Sequence, residues 1–154
     1  MDNLIGHETI YKDLVNLYDK GNLPNKILLT GRKGIGKSLM TKKLLKYIYK
    51  NNNVSLIDSN AHPNIFNIFK KSDKKNIEIS QIREMIEFQN YSSFNDLPKI
   101  IVIDDFELLN LNANNSLLKT LEEPNNKNFF ILINKNNEKI LETIKSRCIE
   151  FKLS

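Results

Sequence analysis

The chain has 154 residues, 40% of them hydrophobic and 27% charged, the length and composition of one globular domain with a real core. Its net charge of +5 and pI of about 9.2 suit a phosphate-rich partner, nucleotide or nucleic acid; an AT-rich genome would give the same excess of lysine, asparagine and isoleucine, with alanine only at positions 61 and 113. No apolar run reaches membrane-spanning length, no basic-then-apolar leader opens the chain, and Cys148 is the only cysteine, which excludes an internal disulfide or cysteine-based zinc site and fits a reducing, cytoplasmic setting without membrane partners.

Ile10, Leu14, Leu17 and Tyr18 make an amphipathic first helix, ended by Gly21-Asn22-Leu23-Pro24. Lys26-Ile27-Leu28-Leu29-Thr30 then reads as a short buried strand. Directly behind it stands Gly31-Arg32-Lys33-Gly34-Ile35-Gly36-Lys37-Ser38, the pattern G-x-x-x-x-G-K-[ST] of a phosphate-binding loop. Glycines let such a loop turn tightly enough for backbone N–H groups to face anionic oxygens. Lys37 can reach the β- and γ-phosphates, and Ser38 can offer its hydroxyl to Mg²⁺. Met40, Leu44, Leu45 and Ile48 continue at helical spacing to about Lys50, so the loop has the strand and helix that it requires, and the helix adds the positive end of its dipole.

Asn51-Asn52-Asn53 is a turn, and Val54 to Ile57 is a candidate strand. His62-Pro63-Asn64 leads into a strand from Ile65 to Phe69, and Lys70 to Asn76 is basic and exposed. Ser80 is the expected N-cap of a helix that carries Ile82, Met85, Ile86 and Gln89 on one side. Ile100-Ile101-Val102-Ile103 has the unbroken apolar character of a strand buried on both faces. A helix over Asn112 to Leu121, with Ala113, Leu117, Leu118 and Leu121 as its stripe, is closed by Pro124. A buried strand from Phe129 to Ile133, a short helix from Glu138 to Lys145 and a last strand from Ile149 to Leu153 complete the chain. Alternating strands and helices predict an α/β fold, a parallel sheet with helices on both faces.

Two acids end the buried apolar strand. Ligands sit at the carboxyl ends of such strands, so Asp104 is assigned to Mg²⁺. Asp105 stands where ATPases of this type place a glutamate to orient the attacking water; aspartate is shorter by roughly 1 Å, an error that can cost about 100-fold. Glu107 could face the same way if the strand continued, although a structural or solvent-facing place is the plainer expectation. Arginine occurs only at 32, 83 and 147. From spacing alone Arg147, between a short helix and the last strand, is either a surface ion pair or a finger that stabilises a triphosphate.

Together these motifs resemble the N-terminal AAA+ ATPase module of bacterial clamp loaders, a P-loop NTPase (AAA+/RecA-like) fold with a parallel five-stranded sheet. The resemblance runs from Leu4-Ile5-Gly6-His7-Glu8 to Ser146-Arg147-Cys148 and includes Leu23-Pro24-Asn25, His62-Pro63-Asn64 and Gln81-Ile82-Arg83-Glu84. Its most specific stretch is Asn112-Ala113-Asn114-Asn115-Ser116-Leu117-Leu118-Lys119-Thr120-Leu121-Glu122-Glu123-Pro124. Asp104-Asp105 and Asn112-Ala113-Asn114 look more like the delta-prime type of DNA polymerase III subunit than like the motor subunits.

What the resemblance implies can be carried residue by residue. Gly31, Arg32, Lys33, Gly34, Ile35, Gly36, Lys37, Ser38 and Leu39 would bind ATP, with Mg²⁺ at Ser38 and Asp104. Asn134 would sense the γ-phosphate, and Arg147 would reach ATP on a neighbouring subunit. His7 lies near the family's adenine pocket and is expected to pack or cap rather than bond the base. Other clamp-loader subunits, primer-template DNA and the sliding clamp would be the partners, met through the complex. The family's four-cysteine zinc module is missing from Asn51 to Ala61. Residues 1–154 would be one nucleotide-binding domain, without the family's helical lid and collar. An active ATP-hydrolysing motor subunit and a stand-alone P-loop kinase are the alternatives.

Overall fold

Alternation along each strand builds two cores at once. A computed structural model describes residues 7–123, 127–134 and 142–153. In chain order it runs α1 (Glu8–Asp19), β1 (Lys26–Thr30), α2 (Lys37–Ile48), β2 (Ile65–Ile68), α3 (Ile79–Asn90), β3 (Ile100–Asp104), α4 (Leu111–Glu122), β4 (Phe129–Ile133), α5 (Glu142–Lys145) and β5 (Ile149–Lys152). The strands form one five-stranded sheet in the order β2-β3-β4-β1-β5, and every pairing is parallel. Because side chains alternate, Ile27, Leu29, Ile100, Val102, Ile131 and Ile133 enter one core with Leu14 of α1 and Met40, Leu44 and Leu45 of α2. Leu28, Ile101, Ile103, Phe130 and Leu132 enter the other, with Ile82 and Met85 of α3, Ala113, Leu117 and Leu121 of α4, and Ile144 of α5. Helices on both faces of a parallel sheet are thus what the apolar strand runs demand.

Two lysines, one half-buried (Lys26) and one buried (Lys99), close helix ends. Lys26, at the start of β1, donates to the Leu121 carbonyl in the last turn of α4. Lys99, just before β3, donates to the Phe88 carbonyl and, at 2.5 Å, to that of Tyr91, where α3 ends. A cation at a helix C-terminus meets both the unpaired carbonyls and the negative end of the dipole. Burial lowers the pKa of Lys99 from its ordinary value.

Three expectations are corrected. Val54–Leu56 is a 3-10 turn, not a strand: Asn53 before it is left-handed (φ 57°), and Val54 and Leu56 stay exposed, with nothing for a strand face to bury against. The cap of α3 is Glu78 rather than Ser80; the Gln81 side-chain oxygen accepts from the Glu78 N–H at 3.2 Å, which starts the helix two residues earlier. Ile86 is exposed, so α3 is held by Ile82 and Met85, with Phe88 packed against the same core. Pro124, the start expected for the last helix at Glu138, and Leu4 to Gly6 lie outside the described residues.

Candidate functional site

The loop between β1 and α2 sits at the carboxyl end of the sheet. Gly31 has φ 142°, and a Cβ there would lie 2.6 Å from the Leu153 carbonyl oxygen, so the close passage of the two chains needs glycine. Gly36, at φ 102°, is the residue from which α2 starts, a left-handed position that turns the backbone into the helix. The helix N-terminus is thereby aimed at whatever the loop encloses. His7, 4% exposed, anchors the far side: its Nε2 donates to the Ile35 carbonyl at 2.6 Å. It joins the loop to the start of α1, where it stands at the N-cap position without a side-chain cap bond.

Lys37 is 4% exposed. Its Nζ donates to the Gly31 carbonyl at 2.6 Å and the Arg32 carbonyl at 2.8 Å, which folds the ammonium back over the loop. Burial lowers its pKa, while the negative charges of Glu107 and then Asp104 pull the other way. A cation so placed, under helix amides and beside two acids, is a fixed positive point for a polyphosphate. Next to it, Ser38 Oγ donates to Asp104 Oδ2 at 3.5 Å. That separation is too long for a strong bond. The hydroxyl and carboxylate are close enough to share one small cation and its waters. The residues present therefore fit an Mg²⁺-nucleoside triphosphate, with Lys37 for the phosphates and Ser38 and Asp104 for the ion.

Asp105 does not extend β3. It is left-handed (φ 54°), accepts no continuation of the ladder, and its N–H turns back to Asp104 Oδ1 at 3.1 Å; a 3-10 turn, Phe106–Leu108, follows. Asp105 lines a cavity of 410 Å³ with Ser38, Asp104, Thr41, Lys42 and Asn67. Glu107 is half-buried, and of the acids its charge acts most strongly on Lys37. Of the two places expected for it, structural or solvent-facing, full exposure to solvent is the one that does not hold, and β3 does not continue to carry it beside Asp105. Asn134 is 3% exposed, its N–H bonded to the Leu29 carbonyl at 3.1 Å. It ends β4, the strand that separates β1 with its loop from β3 with its acids.

Arg147 is not brought to this cluster. It precedes β5, whose Ile149 pairs with Ile27 and whose Lys152 pairs with Thr30, so it lies at the amino end of the sheet, about 20 Å along the strand direction from its own phosphate loop. Its Nη1 donates to the Thr143 carbonyl at 2.7 Å and to Ser146 Oγ at 3.2 Å, and its Nη2 pairs with Glu122. Glu122 had no role in the sequence reading. The signal available was its place in Leu121-Glu122-Glu123, an acid closing a helix whose end prefers cations.

The His-Pro-Asn stretch is structural. His62 Nδ1 accepts from the Asn64 N–H at 3.1 Å, so Nε2 carries the proton and donates to the Asn52 carbonyl at 2.9 Å. The Asn64 side chain exchanges two bonds with the Phe94 backbone, at 2.7 and 2.8 Å. No helix of the described residues is long and apolar enough to cross a membrane.

Residues 6–154 match the family described as DNA polymerase III, delta subunit. DNA polymerase III subunit gamma of Buchnera aphidicola subsp. Schizaphis graminum is 30% identical over 98% of this chain and 44% of its own length. DNA polymerase III subunit delta' of Pseudomonas aeruginosa is 33% identical over 62% of this chain and 29% of its own. Among solved structures, a DNA polymerase III gamma subunit-related protein from Thermotoga maritima superposes with a TM-score of 0.70 at 24% identity, covering 97% of this chain and 46% of that one; at that identity the likeness speaks for the fold alone. The chain spans less than half the length of these relatives.

Proposed function

The chain belongs to the DNA polymerase III delta-subunit family, and from that premise we propose that it is the nucleotide-binding domain of a clamp-loader subunit in DNA replication, one that holds Mg²⁺-ATP and lends Arg147 to a neighbour. Gly31 to Leu39 would cradle the phosphates. Lys37 supplies a fixed charge at the β- and γ-phosphates, Ser38 and Asp104 hold the ion, and Asn134 orients the γ-phosphate end. The ion, when bound, would neutralise charge between the β- and γ-oxygens.

One observation carries the trans reading: Arg147 sits at the edge of the sheet away from its own loop. A guanidinium there cannot serve its own triphosphate, but it can meet one presented by another subunit. Hydrolysis would then require assembly, because neither subunit completes a site alone. The partners that fit are other clamp-loader subunits and, through the complex, primer-template DNA and the sliding clamp.

A second reading has its own support. Glu107 is half-buried and its charge acts on Lys37, so an ATP-hydrolysing motor subunit with Glu107 ordering the attacking water is the competing assignment. The experiment compares reconstituted complexes carrying Arg147→Ala or Glu107→Gln. The trans reading expects Arg147→Ala to lower total ATP turnover by about 10³-fold at sites that depend on it, and Glu107→Gln to leave those sites intact. Loss of turnover only with Glu107→Gln would reverse the assignment.

A further inference from the structure

Arg147 is not a free side chain waiting at an interface. Both terminal nitrogens of its guanidinium are engaged by its own chain: Nη1 by the Thr143 carbonyl and Ser146 Oγ, Nη2 by the Glu122 carboxylate. Glu122 is the last residue of α4, and Thr143 lies in α5. The guanidinium thus sits where two helices end, each presenting carbonyl oxygens, and it offsets a carboxylate placed at the unfavourable end of α4. A bidentate contact with a phosphoryl group uses two N–H donors in a fixed fork. Arg147 cannot offer both terminal nitrogens to another subunit's phosphate while Glu122 and Thr143 hold them.

We propose that Glu122 is a hold on Arg147: an intramolecular anion that the guanidinium must leave before it can serve a neighbour's nucleotide. The inference rests on the trans reading of Arg147 given above. The exchange is between like contacts, carboxylate for phosphate, so it needs no change in the fold. It is also shallow. The two side chains are 29% and 49% exposed, and pairs that wet are weak enough to be given up. Glu122 would therefore set how often the arginine is available before assembly is complete, while leaving its final contact unchanged.

Arginine occurs only three times in the chain, so its side-chain Nε–H resonances can be assigned with Arg32→Lys, Arg83→Lys and Arg147→Lys. The first arm follows the Arg147 resonance in wild type, Glu122→Gln and Glu122→Asp. The second measures basal ATP turnover of the assembled complex carrying the full-length subunit in each form, with Arg147→Ala alongside. The hold predicts that Glu122→Gln moves the Arg147 resonance and raises basal turnover by up to about fivefold, the limit for an exposed pair, with half-saturating ATP unchanged. Glu122→Asp should restore both. A resonance indifferent to Glu122→Gln would show that no hold exists. A shifted resonance with unchanged or lower turnover would make the pair merely structural. Unchanged turnover with Arg147→Ala would instead defeat the trans reading itself, whatever Glu122 does.

Discussion

Ser38 Oγ and Asp104 Oδ2 face each other across 3.5 Å, although 66 residues separate them in the chain. Ser38 lies in the first turn of α2 and Asp104 ends β3, and the parallel order β3-β4-β1 brings both to the carboxyl end of the sheet. If they share one ion, they act as a unit and their losses cannot add. Ser38→Ala and Asp104→Asn should each weaken Mg²⁺-ATP binding by about 10- to 100-fold, and the double variant by little more than the worse single one. Affinity for ATP measured in EDTA should hardly distinguish the four proteins. Additive losses in the presence of Mg²⁺ would mean that the two residues serve separate ends.

Gly31→Ala tests whether the loop is held by packing or merely permitted by it. The new methyl would meet the Leu153 backbone carbonyl oxygen at 2.6 Å and the Ile35 side chain at 3.3 Å, at a φ of 142° that a side chain rarely adopts. A loss of about 1–3 kcal/mol in denaturant unfolding is expected. A variant of wild-type stability would show that β5 and the loop part easily.

Asp105 offers a backbone test that is independent of nucleotide. At φ 54° an L-residue is strained, and aspartate is among the few that tolerate the position. Asp105→Gly should be neutral or stabilising, and Asp105→Ala less stable than Asp105→Gly by about 1 kcal/mol. Equal stabilities would place Asp105 outside the left-handed region in solution.

The lowered pKa of Lys37 gives binding a pH signature. Burial holds the free ammonium below its ordinary 10.5, while a polyphosphate beside it favours the charged form and raises the value again. Between the free and bound values the free protein has lost a proton that the complex retains. Binding in the window just below 10.5 should therefore take up a proton, and affinity should fall as pH rises through it. Calorimetry in two buffers of different ionisation enthalpy reads the proton directly; uptake that persists in Lys37→Ala would assign it elsewhere.

The fold was legible where a residue's neighbours in sequence decide its environment. β1 and β4 were bounded to the residue, because an apolar run between polar ends has one way to be buried. The phosphate loop was legible because its geometry is written in glycines and a lysine eight residues long. What could not be read depends on contacts made across the chain. Val54 and Leu56 have strand-forming character but no sheet edge to join. Asp105 is left-handed and a 3-10 turn follows, so the continuation of β3 that would have set the direction of Glu107 does not exist. Glu122 meets Arg147 across 25 positions, and no local pattern announces that pair. Lys26 and Lys99 looked like part of a general lysine excess and prove to be helix caps.

The central claim is that this domain binds Mg²⁺-ATP at Lys37. The most direct test is a calorimetric titration of the purified protein with Mg²⁺-ATP beside Lys37→Ala, with folding of both checked by circular dichroism. Saturable one-to-one binding that the variant loses by at least about tenfold is the predicted result. Equal binding by the two proteins, or none by a folded wild type, would contradict it.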